Sequence, residues 1–553
     1  WRQAKQEPLR LLARRGDVEA PHLTSKIAAA LPAGAARPGR VATTIDLRLQ
    51  HLVEGVLRRQ RAKVDDHGAF QAAAVVLDTA TAEVLAWVGS RDYGDAEALG
   101  ANDGVVALRQ PGSTLKPFVY GAWMDGGGSP ARLIGDLPYE VQTPDGVYRP
   151  DNYDRRFHGP VTVREALASS LNIPAVKIAS ELGVDRLLTT LHAAGLASLT
   201  LPPDHYGLGL ALGNGEVRLL DLAGAYASLS RLGRWRAPRW IAGQPEPAER
   251  RVLSPETAFT LLEMLADDRA RGIGFGHAGP LALPFRVAAK TGTSSGFRDN
   301  WAVGTTPDYT VAVWVGNFDG SPMNRVSGSV GAAPTLRQIL QLLYPDAAEP
   351  GDVAWPRPPV GLTRARLCRL TGKIADPRCG ATVDEWLSPA ALADASRNVD
   401  AAWTRARVDR RNGLLAGPAC AREDVVIASY PRLPAAWRQW SMAHGLPTAP
   451  TRWSPRCPQG EGGGAGALRD DVRLTAPLDR DRFFLDRSQP AALQEVMLRA
   501  EAEGDAPLTF WVDGERVATV GPPFEARWRL RQGRHEVAVG REAPEDAIVV
   551  RVF

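Results

Sequence analysis

Lysine is scarce in this chain: only seven of its 66 basic residues are lysine, and the other fifty-nine are arginine. Arginine keeps its proton inside any protein, whereas a desolvated lysine can lose one. A sequence that writes arginine almost everywhere therefore uses lysine where a removable proton is wanted. Long apolar runs are missing too, and none approaches the ~20 residues that span a bilayer. The first residue is Trp1, not Met, and no signal peptide leads the chain, so it reads as a soluble piece of something longer or as a processed product. A net charge of +4 on 553 residues is too small for a nucleic-acid footprint, and no aromatic-plus-basic motif accompanies it. The nine histidines form no spaced cluster, and no Gly-Lys-Ser/Thr follows the turn Gly213-Asn214-Gly215. Neither a metal site nor a phosphate loop is expected, and no cofactor is called for.

Cysteine is nearly absent, with four residues in one late stretch: Cys368, Cys379, Cys420 and Cys457. Their spacings do not make paired CxxC knuckles, so disulfides are the expectation. Cys368–Cys379 with Cys420–Cys457 is the simplest of three pairings, and it suits an oxidising compartment such as the periplasm.

Such length exceeds one core, so two or three domains are expected. Residues 1–40 are polar, punctuated by Pro and Gly, and read as a linker. Thr43-Thr44-Ile45-Asp46 then caps a helix whose Leu49, Leu52, Val53 and Val56 share a face. Apolar runs 73–77 and 84–88 flank a polar turn, a hairpin signal. A mainly helical middle follows from Ser113 to about residue 270. Short Val-, Thr- and aromatic-rich segments at 286–293, 300–305 and 309–318 bring strands back. Strands at both ends with helices between predict an α+β domain, 41–345, whose first and last strands share one antiparallel sheet. Residues 346–465 are rich in Pro and Arg and read as an extended connector pinned by disulfides. The glycine cluster at 460–466 reads as a hinge, and the basic run 405–411 as a solvated face. Alternating segments near 508–512, 526–530, 535–539 and 548–553 predict a small β-sandwich over 466–553.

Two of the scarce lysines sit in motifs: Lys116 closes one and Lys290 opens another. Ser113-Thr114-Leu115-Lys116 is followed by Pro117, which a helix tolerates only in its first turn. The helix therefore begins near Ser113, with the hydroxyl at the positive end of the dipole and Lys116 one turn on. That pairs a hydroxyl nucleophile with an amine base, the parts of acyl transfer. Ser170-Leu171-Asn172 comes 57 residues after Ser113 and offers a proton-relaying hydroxyl plus an amide that donates and accepts. Lys290-Thr291-Gly292-Thr293 comes 120 residues after Ser170, on a predicted strand. Its cation and hydroxyls suit a carboxylate, and Gly292 leaves room for a peptide at the strand edge. Each motif alone reads as ordinary structure: a helix start, a capping turn, a Thr-rich strand.

Together and in this order, the three motifs are the SxxK, SxN, KTG signature of penicilloyl-serine enzymes, which are penicillin-binding proteins and serine β-lactamases. Residues 68–93, Arg109-Gln110-Pro111-Gly112, Tyr148-Arg149-Pro150-Asp151-Asn152-Tyr153-Asp154, 169–176 and 297–304 resemble class A penicillin-binding proteins. Tyr206-Gly207-Leu208, the Cys-bearing connector and the terminal sandwich are similar to the penicillin-binding protein 1C type. The resemblance implies a β-lactamase/transpeptidase-like domain with a helical subdomain, acting as a peptidoglycan D,D-transpeptidase. It assigns Ser113 as nucleophile toward D-Ala-D-Ala stem peptides and β-lactams, and Lys116 as its base. Ser170 with Lys290 would protonate the departing D-Ala, and Asn172 would hold the peptide amide. Thr291, Gly292 and Thr293 would meet the terminal carboxylate, with backbone N–H groups of Ser113 and Thr293 as the oxyanion hole.

Class A members also carry a glycosyltransferase domain marked by Glu-Asp-x-x-Phe. Neither Glu423-Asp424 nor Glu545-Asp546 is followed by that Phe. The reading is a chain without glycan polymerisation, cut from a bifunctional, inner-membrane-anchored periplasmic protein. Rival readings are a D,D-carboxypeptidase or β-lactamase, in which water replaces the acceptor amine, and a non-catalytic penicillin-binding scaffold. For the terminal sandwich, analogy alone suggests a cell-wall or periplasmic protein partner.

Overall fold

The computed structural model describes residues 18–30, 40–143, 146–276, 279–324, 326–457, 472–477, 481–483, 485, 494–502, 506–522 and 524–553. Most of the expected linker (1–17 and 31–39) and the expected hinge at 460–466 lie outside the described residues.

The chain enters through helix α1 (Pro21–Ala30), which is docked, so this part of the expected linker is structured. Leu23 joins the main apolar cluster, and the His22 ring lies 2.9 Å from the Gly100 carbonyl. Helix α2 (Leu47–Val64) starts where Asp46 Oδ1 accepts from the Leu49 N–H at 3.0 Å. Strands β1 (Gln71–Asp78) and β2 (Val84–Val88) form the expected hairpin. After it come helix α3 (Lys116–Asp125), the paired strands β3 (Leu133–Asp136) and β4 (Gly159–Thr162), and helices α4 (Asn172–Leu182) and α5 (Leu219–Ser230). Strands β5 (Ala288–Thr293), β6 (Asp299–Thr305) and β7 (Tyr309–Gly316) and helix α6 (Ala333–Leu343) follow.

One antiparallel sheet in the order β2-β1-β7-β6-β5 unites both ends of this region, with Gln71 opposite Gly316 and Asp78 opposite Tyr309. Both faces are covered, which is why β1 and β7 read as near-continuous apolar runs. Ala73, Val75 and Leu77 meet the helical subdomain, while Ala72, Ala74 and Val76 meet the layer of α2 and α6. Strand β5 is left on an edge.

The connector departs from the extended, doubly pinned segment expected. It folds into two hairpins, β8 (Thr363–Cys368) with β9 (Thr382–Leu387) and β10 (Trp403–Asp409) with β11 (Val425–Pro431), and then helix α7 (Ala435–Ala443). Each hairpin buries a small apolar set, such as Leu367, Leu387 and Ala395 in the first. In β10, Ala406 and Val408 point inward while Arg405 and Arg407 face water. The basic run is thus one face of a half-buried strand, its alternation hidden by the arginines.

Of the four expected disulfide cysteines, only Cys420 and Cys457 are bonded. Cys368 and Cys379 are neighbouring thiols, and burial together with the Cys368 thiol pushes Cys379 up to about 11. Their hairpin is already closed without a bridge, by the Cys368 N–H to Lys373 O and Arg369 N–H to Ala381 O bonds. The C-terminal region packs a three-stranded sheet on a five-stranded one around Leu498, Phe510, Val537 and Val550, a β-sandwich.

Candidate active site

Gly112–Leu115 forms a 3₁₀ turn that feeds directly into α3, with Pro117 in the first helical turn as the sequence predicts. Residues 116–124 of α3 are buried on every side, so the site opens from the helix start alone. Three backbones converge here. Gly112, at φ 57°, would place a Cβ 2.4 Å from Thr293 O, and Gly213, at φ 80°, would place one 2.2 Å from Gly112 O. Side chains at either position would force the Ser113 turn away from β5.

The Lys116 amine, fully buried, donates to Ser170 O at 2.6 Å and to Asn172 Oδ1 at 2.7 Å. Burial, and then the neighbouring Lys290 cation, hold its pKa well below the usual lysine value, against the opposing pull of Asp136. A neutral amine has two N–H bonds and one lone pair. Two short donations occupy both N–H groups, and a longer contact of 3.5 Å runs from the same nitrogen to Ser170 Oγ. Ser113 lines the cleft together with Ser170 and Asn172, the residues that hold the amine, and its hydroxyl makes no hydrogen bond to the described residues.

Lys290 Nζ donates to Ser170 Oγ at 2.7 Å and to Thr291 O at 2.8 Å. Burial and then Arg271 lower it to about 7, so it carries a removable proton near neutrality. Ser170 joins the two lysines because its backbone is left-handed, at φ 61°, which turns O toward Lys116 and Oγ toward Lys290. A non-glycine residue held there stores strain that the surrounding contacts must support.

Asn172 is already committed in part: Oδ1 accepts from Lys116, and Nδ2 donates to Asp151 O at 2.7 Å. Behind it runs a polar rod that sequence reading did not single out. The Asn172 N–H donates to Asn152 Oδ1 at 2.8 Å, and Asn152 Nδ2 donates to Asp136 Oδ1 and Oδ2 at 2.9 and 2.7 Å. The His158 N–H reaches the same carboxylate at 3.0 Å. Asp136 is fully buried, and desolvation raises its pKa despite those donors.

The open edge of β5 forms the far wall. Thr293 Oγ1 accepts from the Gly328 N–H at 3.0 Å, and a Cβ on Gly292 would sit 2.2 Å from Pro111 O. The cleft encloses about 660 Å³, and Ser113, Asn172, Thr291 and Thr293 all face it, as does His158. Ser327 and Ser329 complete the wall without having been predicted; no motif marks them. Among the described residues, the metal-donor group is Asp409 with Cys420 and Cys457, whose sulfurs are tied in the disulfide.

Residues 72–341 match the penicillin binding protein transpeptidase domain, and residues 463–543 match the Penicillin-Binding Protein C-terminus family. Penicillin-binding protein 1C of Escherichia coli (strain K12) is 34% identical over 398 residues, covering 70% of this chain and 48% of that protein. Penicillin-binding protein 1A of Neisseria meningitidis serogroup A / serotype 4A (strain DSM 15465 / Z2491) is 33% identical over 286 residues, covering 48% of this chain and 34% of that protein. This chain thus spans half or less of the length of these relatives. The crystal structure of Penicillin-Binding Protein 1A from Haemophilus influenzae shares the fold at TM-score 0.50 and 22% identity, covering 58% of this chain and 53% of that one.

Proposed function

We propose, for a chain that belongs to the penicillin-binding proteins, the reaction of a peptidoglycan D,D-transpeptidase proceeding through an acyl-enzyme on Ser113. The observation that carries this reading is the desolvated Lys116 amine, held by Ser170 and Asn172, which line the same cleft as Ser113. Lys116 takes the Ser113 proton as Oγ attacks the carbonyl of the penultimate D-Ala in a stem peptide. The N–H groups of Ser113 and Thr293 receive the oxyanion, each worth about 3 kcal/mol in such sites. Lys290 passes a proton through Ser170 to the departing D-Ala amine. Thr291 and Thr293 hold the terminal carboxylate at the β5 edge, and the remaining N–H of Asn172 meets the peptide carbonyl. An amine from a second stem peptide then attacks the ester and regenerates Ser113 as the cross-link forms. A β-lactam enters by the same attack and stays as a slow ester.

The full protein is proposed to work in the periplasm from an inner-membrane anchor; no described helix of this chain is long and apolar enough to cross a membrane. Also part of the proposal are the divisions near residues 40, 345 and 465 and a cell-wall or protein ligand for the terminal sandwich.

Intact mass after incubation with fluorescent penicillin tests the first half: one adduct on the wild type and none on Ser113→Ala. Glycan strands with pentapeptides test the second. Cross-linked dimer supports transpeptidation, and free D-Ala without dimer would make the chain a carboxypeptidase.

The pH profile follows from the two lysines. Lys116 must be neutral to act, so the acylation rate rises with pH as it loses its proton. Lys290 must be charged to donate, so the rate falls as pH passes about 7. The resulting bell reports the coupled pair. Lys290→Gln is expected to remove the alkaline limb. It should also move the acid limb to higher pH, because the cation depressing Lys116 is gone. An unchanged profile would put both lysines outside the proton path.

A further inference from the structure

We propose that helix α7 of the connector clamps the acylation site, with Trp437 and Trp440 as positioning residues that hold the Asp136–Asn152–Asn172 rod and, through it, Lys116. The inference rests on the acyl-serine reading above.

The two indoles are seated on glycine. A Cβ on Gly135 would lie 2.4 Å from Trp437 Nε1, and one on Gly159 would lie 2.1 Å from Trp440 Cζ3. Any side chain at either position would lift the helix off. These two glycines stand where the strands release the segment 137–158. Gly135 immediately precedes Asp136, Gly159 immediately follows His158, and Asp136 pairs directly with Gly159 across the β3–β4 ladder. The segment between them carries Asn152, Tyr153, Asp154 and His158 to the cleft.

Both seats are fixed from a second side. The Trp440 ring stacks on His444 at 3.9 Å and 10°, and His444 Nδ1 lies 2.8 Å from the Trp440 carbonyl. Lys177, on the same helix as Asn172, donates to the Gly135 carbonyl at 2.6 Å. Gly135 is therefore gripped by α4 through its carbonyl and by α7 at its Cα. From there each step to the base is a short contact: Asp136 to Asn152, Asn152 to Asn172, and Asn172 to Lys116 at 2.7–2.9 Å. Displacing β3 by a fraction of an ångström moves the amide oxygen that holds one N–H of Lys116. Helix α7 also touches the first strand of the terminal sandwich, Arg473–Ala476, so that domain bears on the clamp.

Mere packing and positioning make different forecasts. If α7 only adds stability, its loss lowers the fraction of chain that can be labelled while each labelled molecule reacts as before. If it positions the rod, the rate constant itself falls and its pH dependence moves. The charged groups acting on Lys116 are Lys290 and Asp136, and burial is the largest influence. A loosened rod admits water, and Lys116 regains its proton at higher pH.

The experiment uses the full chain, with second-order acylation by fluorescent penicillin measured across pH. For Trp437→Ala with Trp440→Ala, the expected result is a rate slower by about tenfold to hundredfold, the scale of an ångström-level misplacement. Its acid limb should shift to higher pH. Trp→Phe at both positions should restore most of the rate, because an aromatic ring again fills each glycine seat. Trp440→Leu provides a milder variant should the double alanine chain fail to fold, and the same direction of shift is expected. Wild-type rate and profile in the folded variants, or a lower labelled fraction at an unchanged rate, would overturn the clamp alone. No adduct on wild type would overturn the acyl-serine reading and the clamp with it.

Discussion

Lys116→Arg is expected to slow penicillin acylation of Ser113 by about 10²–10⁴-fold while leaving a folded chain, the range a positioned general base contributes. The substitution keeps several donors but replaces a neutral amine by a permanent cation, so it removes the lone pair on which the proposed base depends. A guanidinium has no lone pair to accept the Ser113 proton and does not deprotonate in a protein. At this position it would also stay charged next to Lys290, in a site with no exposure to water. Asn172 Oδ1 and Ser170 O would still be bonded, and the reaction would stop for want of a base. Lys116→Met gives the same test without the extra volume, and thermal unfolding checks that each variant is folded. A rate kept within about tenfold of wild type would move the base to Lys290 acting through Ser170, whose hydroxyl it already contacts at 2.7 Å. Ser170→Ala would then abolish the remainder.

Lysine scarcity made the centre of this site legible. The chain keeps seven lysines, and the structure buries Lys116 and Lys290 and half-buries Lys177, all with lowered proton affinity, Lys177 to about 8. The SxxK and KTG lysines were found through their neighbours in sequence. Lys177 follows the same rule, yet it lies inside an apolar helix stretch, Ile173-Pro174-Ala175-Val176-Lys177-Ile178, with no motif around it. The central sheet was readable because β1 and β7 are buried on both faces and carry little else but apolar residues. Asp136 was not readable: a single carboxylate at the end of a four-residue strand looks solvated until the fold closes over it. The same holds for Arg271, whose field on Lys290 depends on contacts nearly twenty residues away in sequence. In the connector, arginines on the outer face of β10 hid the alternation, and the glycine seats of Trp437 and Trp440 exist only in three dimensions.

Breaking the Arg164–Glu385 pair is expected to cost about 3–5 kcal/mol, the scale for removing one partner of a buried ion pair. This pair ties the first connector hairpin to the region that matches the transpeptidase model, residues 72–341. Arg164 Nε and Nη2 donate to the two Glu385 carboxylate oxygens at 3.0 and 2.5 Å, and the side chains are only 7% and 2% exposed. Trp386 adds an edge-on contact with Phe259 and donates its indole N–H to Glu263 Oε2 at 3.1 Å. Burial raises the Glu385 pKa above its ordinary value even with Arg164 opposing it. Arg164 is raised as well, because its own desolvation is outweighed by Glu385 and the nearby Asp267 and Glu263, so the pair is held charged on one side and strained by burial on the other. Arg164→Met leaves the buried Glu385 carboxylate without its cation and facing Asp267, which also loses its contact with Arg164, so the Glu385 pKa climbs further. The sign follows: the penalty is largest at high pH, where Glu385 is charged, and shrinks as pH falls and the group takes a proton. Denaturant unfolding across pH reads this directly. Arg164→Met combined with Glu385→Leu removes both charges and should recover most of the loss, since a buried pair replaced by apolar groups of similar size is often near neutral. A double variant as unstable as the single one would mean that the charge pair itself, and not the avoidance of an orphan, holds the connector against the region that carries the cleft.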